Sequence, residues 1–96
     1  MQGIIFDWDE NKNKINVQKH GVSFDEAITV FADERALLIH DEEHSEQEER
    51  FVILGISRNT RLLVVCHCYR ENDSTIRLIS ARKATKTESE LYGGVL

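Results

Sequence analysis

The chain has 96 residues, 41% of them hydrophobic and 30% charged, a net charge of −5 and no proline. That length predicts one domain, residues 1–96, which buries roughly two thirds of its unfolded surface in a single core. No apolar run approaches the roughly 20 residues that cross a membrane, and MQGIIFDWDE has no basic flank, so neither a membrane span nor a signal peptide is expected and the chain is assigned to the cytoplasm.

GIIFDW reads as a short first strand. DENKNKINVQKHG follows as a helix, with Asp7 or Asp9 as N-cap, Gly21 as the stop, and a thin apolar face of Ile15 helped by Val17 and Trp8. In the next helix Ser23 and Glu26 form a capping box, each side chain satisfying a free backbone donor. Phe24, Ala27, Ile28 and Phe31 then recur at helical spacing and are core residues. RALLIHDE, EERFVILGIS, RLLVVCHCY and TIRLISAR are four strands, and the short polar joins RNT and RENDS favour antiparallel hairpins. Thr85 and Glu88 form a second capping box and open a last helix that buries Leu91 and Tyr92. The order β-α-α-β-β-β-β-α predicts an α+β fold, an antiparallel sheet with two N-terminal helices and one C-terminal helix on one of its faces.

Cys66 and Cys68 flank His67 on the third long strand, share a face, and read as small buried hydrophobes. The span is too short for an unstrained disulfide and no CxxC-type spacing supplies partner ligands for zinc, so neither a disulfide, a metal site nor a cofactor is expected. DEEHSEQEE lacks the glycine and acid spacing of an EF-hand loop and reads as a solvated connection. Charge is polarised: residues 1–49 carry 13 acids and 4 bases, and residues 50–96 carry 4 acids and 8 bases. Four bases, Arg77, Arg82, Lys83 and Lys86, crowd the last strand and the turn after it.

Simple register in the last two hairpins puts Phe51 and Arg77 opposite His67, and Glu49 and Thr75 opposite Tyr69. Glu49, His67, Tyr69 and Arg77 then share one end of one face, while Arg82 alternates to the other. Such a cluster suits metal-free RNA cleavage. Arginine grips a phosphate through parallel hydrogen bonds, a neutral histidine takes the 2′-hydroxyl proton, and tyrosine stacks on a base. It equally describes an ion-paired surface patch, with Arg77 joined to Glu49.

FDWDENKNKINVQKHGVSFDEA, EERFVILGIS, RLLVVCHCY and IRLISARKATKTE, taken together, resemble the BrnT-type toxins of bacterial toxin–antitoxin pairs over nearly the whole chain. The resemblance implies a RelE-like fold and a ribonuclease activity that halts translation. It also implies a co-expressed, DNA-binding antitoxin that neutralises the toxin and reaches operator DNA on behalf of the complex. Arg77, Ser80 and Arg82 match the family's closing-strand motif, and Arg61 matches a basic position opening the preceding strand. The expected catalytic set is Arg77, Arg82 and, from chemistry rather than resemblance, His67. Arg61, Lys83 and Tyr69 are the expected RNA-binding residues. GGVL at the end lacks a basic tail, so no catalytic group is expected there. Trp8 and Val17, incompletely buried, are expected to anchor the antitoxin. The alternative is a non-catalytic protein-binding module that acts as co-repressor in a DNA-binding complex.

Overall fold

The computed structural model describes residues 3–93, so the last three residues of GGVL lie outside the described part. Its elements are β1 (Ile5–Asp7), α1 (Glu10–His20), α2 (Phe24–Ala27) running into a 3-10 helix (Ile28–Ala32), β2 (Leu37–Asp41), a 3-10 turn (Glu42–His44), β3 (Arg50–Ile56), β4 (Leu62–Arg70), β5 (Thr75–Lys83) and α3 (Lys86–Gly93). The predicted element order holds. The sheet is mixed rather than antiparallel: strands lie in the order β1-β5-β4-β3-β2, and β1 runs parallel to β5. Short joins specify the three hairpins, but β1 pairs with a strand far along the chain, and no turn length encodes that partner.

Helix boundaries follow their caps. Asp9 accepts from the Asn11 and Lys12 amides at 2.8 and 3.3 Å, and Gly21, at φ 67°, ends α1 by donating to Val17. Ser23 caps α2, but Glu26 does not reach back to it. Glu26 instead takes the Arg61 guanidinium through Nε (2.9 Å) and Nη2, and the Ser57 hydroxyl at 2.6 Å. The second capping box closes reciprocally, Thr85 N to Glu88 Oε1 at 2.8 Å and Glu88 N to Thr85 Oγ1 at 3.2 Å.

The helices divide between the two faces instead of sharing one. Val22, Phe24, Ala27 and Val30 pack on Ile53, Leu63, Val65, Ile76, Leu78 and Ala81, with Ile28 and Phe31 at the margin. On the opposite face α3 contributes Tyr92 to a smaller cluster with Leu54 and Val64. Leu91, expected inside, is exposed. Ile15 and Val17 are also exposed, because α1 buries Asn13 and Asn16 instead. Gly55 lets the 3-10 helix approach β3: a Cβ there would sit 2.8 Å from Val30 Cγ1 and 2.9 Å from the Ala36 Cβ.

The β3–β4 register is as expected, with Phe51 opposite His67 and Ile53 opposite Val65. The β4–β5 register is displaced. β4 runs on through Arg70, which faces Thr75, and the turn is Glu71–Ser74, with φ of 54°, 55° and 68° at Glu71, Asn72 and Asp73. Arg77 therefore faces Cys68 and not His67. The slip of one residue transfers Arg77 to the other side of the sheet. A bulge then follows: His67 faces Leu78 while Cys66 faces Ser80, leaving Ile79 as the extra residue.

The Glu26–Arg61 pair makes folding pH-dependent. Arg61 first, and then Ser57, hold the buried Glu26 carboxyl at about 2, against an ordinary 4.5. A depressed carboxyl stabilises the fold above its unfolded pKa and loses that contribution as pH falls toward its folded one, here of order 3 kcal/mol. Denaturant midpoints are expected to drop between about pH 5 and pH 2, and Glu26→Gln should flatten that slope while lowering stability at neutral pH.

Candidate functional site

The bulge decides what the sheet presents. Arg77 and Arg82 are five residues apart and would alternate to opposite faces in a regular strand. With Ile79 bulged, Arg77, Ser80 and Arg82 face Cys68, Cys66 and Val64, and all three fall on the face that carries α3. Arg50, on β3, alternates with Val52 and Leu54 onto this face, opposite Asp41 on β2.

Two adjoining hollows of about 290 and 420 Å³ lie here. Asp41, His44, Arg50, Cys66, Ser80 and Arg82 line the smaller one. Arg82 Nη1 and Nη2 donate to the two Glu88 oxygens at 2.8 Å each. That fork raises the Arg82 pKa and holds the Glu88 carboxyl at about 2. Arg50 is in no ion pair among the described residues. Arg77 lies farther along the face and donates to Asp7 Oδ2 on β1 at 2.6 Å.

His44 and Asp41 complete the hollow. His44 Nδ1 lies 2.9 Å from Asp41 Oδ2. A carboxylate accepts only, so the neutral ring carries its proton on Nδ1 and leaves Nε2 basic. The loop between β2 and β3 is more than a solvated connection. Ser45 Oγ donates to Asp41 O at 2.6 Å and accepts from Arg50 N at 3.0 Å, fastening the two strand ends around His44. Asp41, His44 and Arg50 escaped the sequence reading. Their signal was present: an aspartate ending one strand, a histidine three residues on, and an arginine opening the next. Asp41, Glu43 and His44 also bring one ligand atom each within 4.8 Å of one another, all from a single turn.

The remaining expected residues lie elsewhere. His67 is 0% exposed on the opposite face, packed against Phe31, Phe51 and Tyr69 with Nδ1 3.0 Å from Val65 O, and burial lowers its pKa. Desolvation causes that shift, since Arg77 lies across the sheet from His67. Tyr69 is half-buried beside His67. Arg61 is committed to Glu26 and to the Gly21 carbonyl. Lys83 is exposed at the end of β5, opposite Leu63. Among the described residues no helix is long and apolar enough to cross a membrane.

Residues 8–88 match the family described as the ribonuclease toxin, BrnT, of type II toxin–antitoxin systems. No curated protein sequence matches the chain. Among solved structures, the crystal structure of the Brucella abortus ribonuclease toxin, BrnT, is 22% identical, with a TM-score of 0.63 over 90% of this chain and 100% of its own. That likeness shares the mixed α+β fold, whereas the match over residues 8–88 reaches further: the chain belongs to the BrnT family of ribonuclease toxins of type II toxin–antitoxin systems.

Proposed function

We propose that the chain is a metal-independent endoribonuclease whose active site is the hollow between Asp41, His44, Arg50 and Arg82. One observation carries the reading: a carboxylate-oriented imidazole and two guanidinium groups line a single concave surface. His44 Nε2 accepts the 2′-hydroxyl proton. The 2′-oxygen bonds to phosphorus and the bond to the 5′-oxygen breaks, leaving a 2′,3′-cyclic phosphate and a 5′-hydroxyl that takes its proton from water. Arg82 and Arg50 meet the charge that gathers on the phosphoryl oxygens. Arg77 steers the strand and Ser80 supplies a hydroxyl beside it, whereas Lys83, paired with Leu63, belongs to the face that carries α1 and α2 and leaves the RNA-binding set. His67 backs the sheet from within, since a base must reach the proton it takes. Tyr69 leaves the RNA-binding set, because Glu48, Glu49 and Asp73 around it repel phosphate.

Cleavage of cytoplasmic RNA by this site halts translation. A co-expressed antitoxin neutralises the toxin, and the complex represses the shared operon through the antitoxin's DNA-binding part. The decisive experiment incubates partner-free protein with RNA in EDTA. Cyclic phosphate ends are the expected result. Intact RNA at high protein excess favours the non-catalytic co-repressor, and cleavage that EDTA abolishes and Mn²⁺ restores transfers the chemistry to a metal on Asp41, Glu43 and His44.

A further inference from the structure

The face that carries α1 and α2 is open at its β2–β3–β4 end. There Leu38, Phe51 and Tyr69 line a recess of about 570 Å³, with Glu48, Glu49 and Asp73 around it. Its aromatic wall is fixed in advance. The Phe51 and Tyr69 rings meet edge to face at 5.2 Å, and each also packs on His67, at 6.2 and 5.3 Å. Phe31 supports His67 from the far side at 4.9 Å.

Acidic groups outnumber basic ones around the recess. Three carboxylates meet Arg70, which lies 3.3 Å from Glu48, and His40, which lies 3.9 Å from Glu49. The Glu49 side chain is 75% exposed, and no ion pair engages Asp73 among the described residues. Asp73 sits in the left-handed turn that closes over the end of β4. Beside the recess runs β2, an edge strand with Leu38 and Ile39 55% and 40% exposed.

We propose that this recess receives an arginine side chain from a basic, extended segment of a partner protein lying along the outer edge of β2. A guanidinium plane stacks on aromatic rings, and its N–H groups pair with carboxylates. Phosphate is repelled by the rim. A purely apolar side chain would strip water from carboxylates and return no hydrogen bond. Lysine offers a point charge without the planar fork. The unpaired backbone of an edge strand is a template for an added strand, so the guest belongs to a peptide rather than to a free small cation. Naming that partner as the antitoxin rests on the toxin reading; the chemistry of the recess does not.

The probe is the blocked peptide acetyl-Val-Arg-Val-Arg-Val-amide, titrated into partner-free protein and followed by NMR. Saturable shifts of the Phe51 and Tyr69 rings and of the Leu38 and Ile39 amides are expected. The same peptide with citrulline for arginine, and the Glu49→Gln/Asp73→Asn protein with the arginine peptide, should each bind about tenfold more weakly. RNA cleavage by that double variant should equal wild type. Equal binding of the citrulline peptide, or shifts that map elsewhere, overturns the proposal. So does a short RNA that moves the same ring resonances. A peptide that fails while the protein still cleaves RNA sinks this site alone; intact RNA with normal peptide binding sinks the ribonuclease reading alone.

Discussion

Arg82→Ala is expected to lower RNA cleavage about 10²–10³-fold, the loss typical of removing one preorganised donor from a developing oxyanion. Stability should hardly change. Both side chains of the Arg82–Glu88 pair are only half-buried, 41% and 28% exposed, and solvent screening holds such pairs to about 0–1 kcal/mol. Glu88 keeps its capping bonds to Thr85 when Arg82 is gone. Arg82→Lys should recover little, since an ammonium cannot lie in the fork that Glu88 now fills and a phosphate would share. His44→Ala should cost about 10²–10⁴-fold through the lost base. His67→Gln should cleave at the wild-type rate per folded molecule, because His67 meets no solvent. Single-turnover cleavage beside a thermal melt separates these cases. Wild-type cleavage by Arg82→Ala removes Arg82 from the chemistry. Loss of cleavage in His67→Gln with folding intact returns the imidazole role to the buried face.

The sequence exposed those parts of the molecule that depend on local rules. Ser23 and Thr85 announce their helices because an N-cap acts within a few residues. The β3–β4 hairpin follows from its short turn, and Phe24 and Ala27 follow from periodicity. The β1–β5 pairing stayed hidden because its partners lie about 70 residues apart, Ile5 beside Thr75. α1 misled for a different reason. Its inward positions carry asparagines, so hydrophobic periodicity pointed at Ile15 and Val17, which are exposed.

At the site, two errors compounded. Three consecutive left-handed residues at Glu71, Asn72 and Asp73 tighten the β4–β5 turn. Asn and Asp adopt that conformation more readily than most residues, but usually singly, so a run of three that includes Glu71 was not legible in the sequence. The bulge at Ile79 then undid the alternation of β5. Together they moved Arg77 away from His67 and put Arg77, Ser80 and Arg82 on one face. The closing-strand motif was therefore visible as residues, while its geometry depended on one inserted residue. His44 was overlooked because its loop is so acidic that composition argued for solvent. The ordering contacts there are single hydroxyl and imidazole bonds from Ser45 and His44, which composition does not weigh.

The largest stability effect is expected at Asn16. This side chain is 5% exposed on α1 and serves three backbone groups. Nδ2 donates to Val22 O at 2.8 Å and to Ala81 O at 2.7 Å, and Oδ1 accepts from Ala81 N at 3.1 Å. β1 pairs with β5 only from Thr75 to Arg77, so beyond that point the outer edge of β5 has no strand beside it. Asn16 occupies the place that a strand would, with one amide matching both the N–H and the C=O of Ala81. Asn16→Ala leaves these buried groups unpaired at about 1–3 kcal/mol each, so a total loss of about 3–5 kcal/mol is expected out of the 5–15 kcal/mol of an ordinary domain. Asn16→Asp should be no milder, since it places a carboxylate against two carbonyl oxygens. Asn16→Leu should fail too, although it repairs the apolar pattern of the helix. Val17→Asn, at an exposed position on the same helix, should stay within about 0.5 kcal/mol of wild type. Urea midpoints decide: a loss below about 1 kcal/mol for Asn16→Ala would show that water replaces the amide freely. Ala81 immediately precedes Arg82, so the same bond fixes the strand that carries the proposed phosphate-binding arginine. Cleavage per folded molecule should therefore fall in Asn16→Ala as well, linking the polar face of α1 to the chemistry on the far side of the sheet.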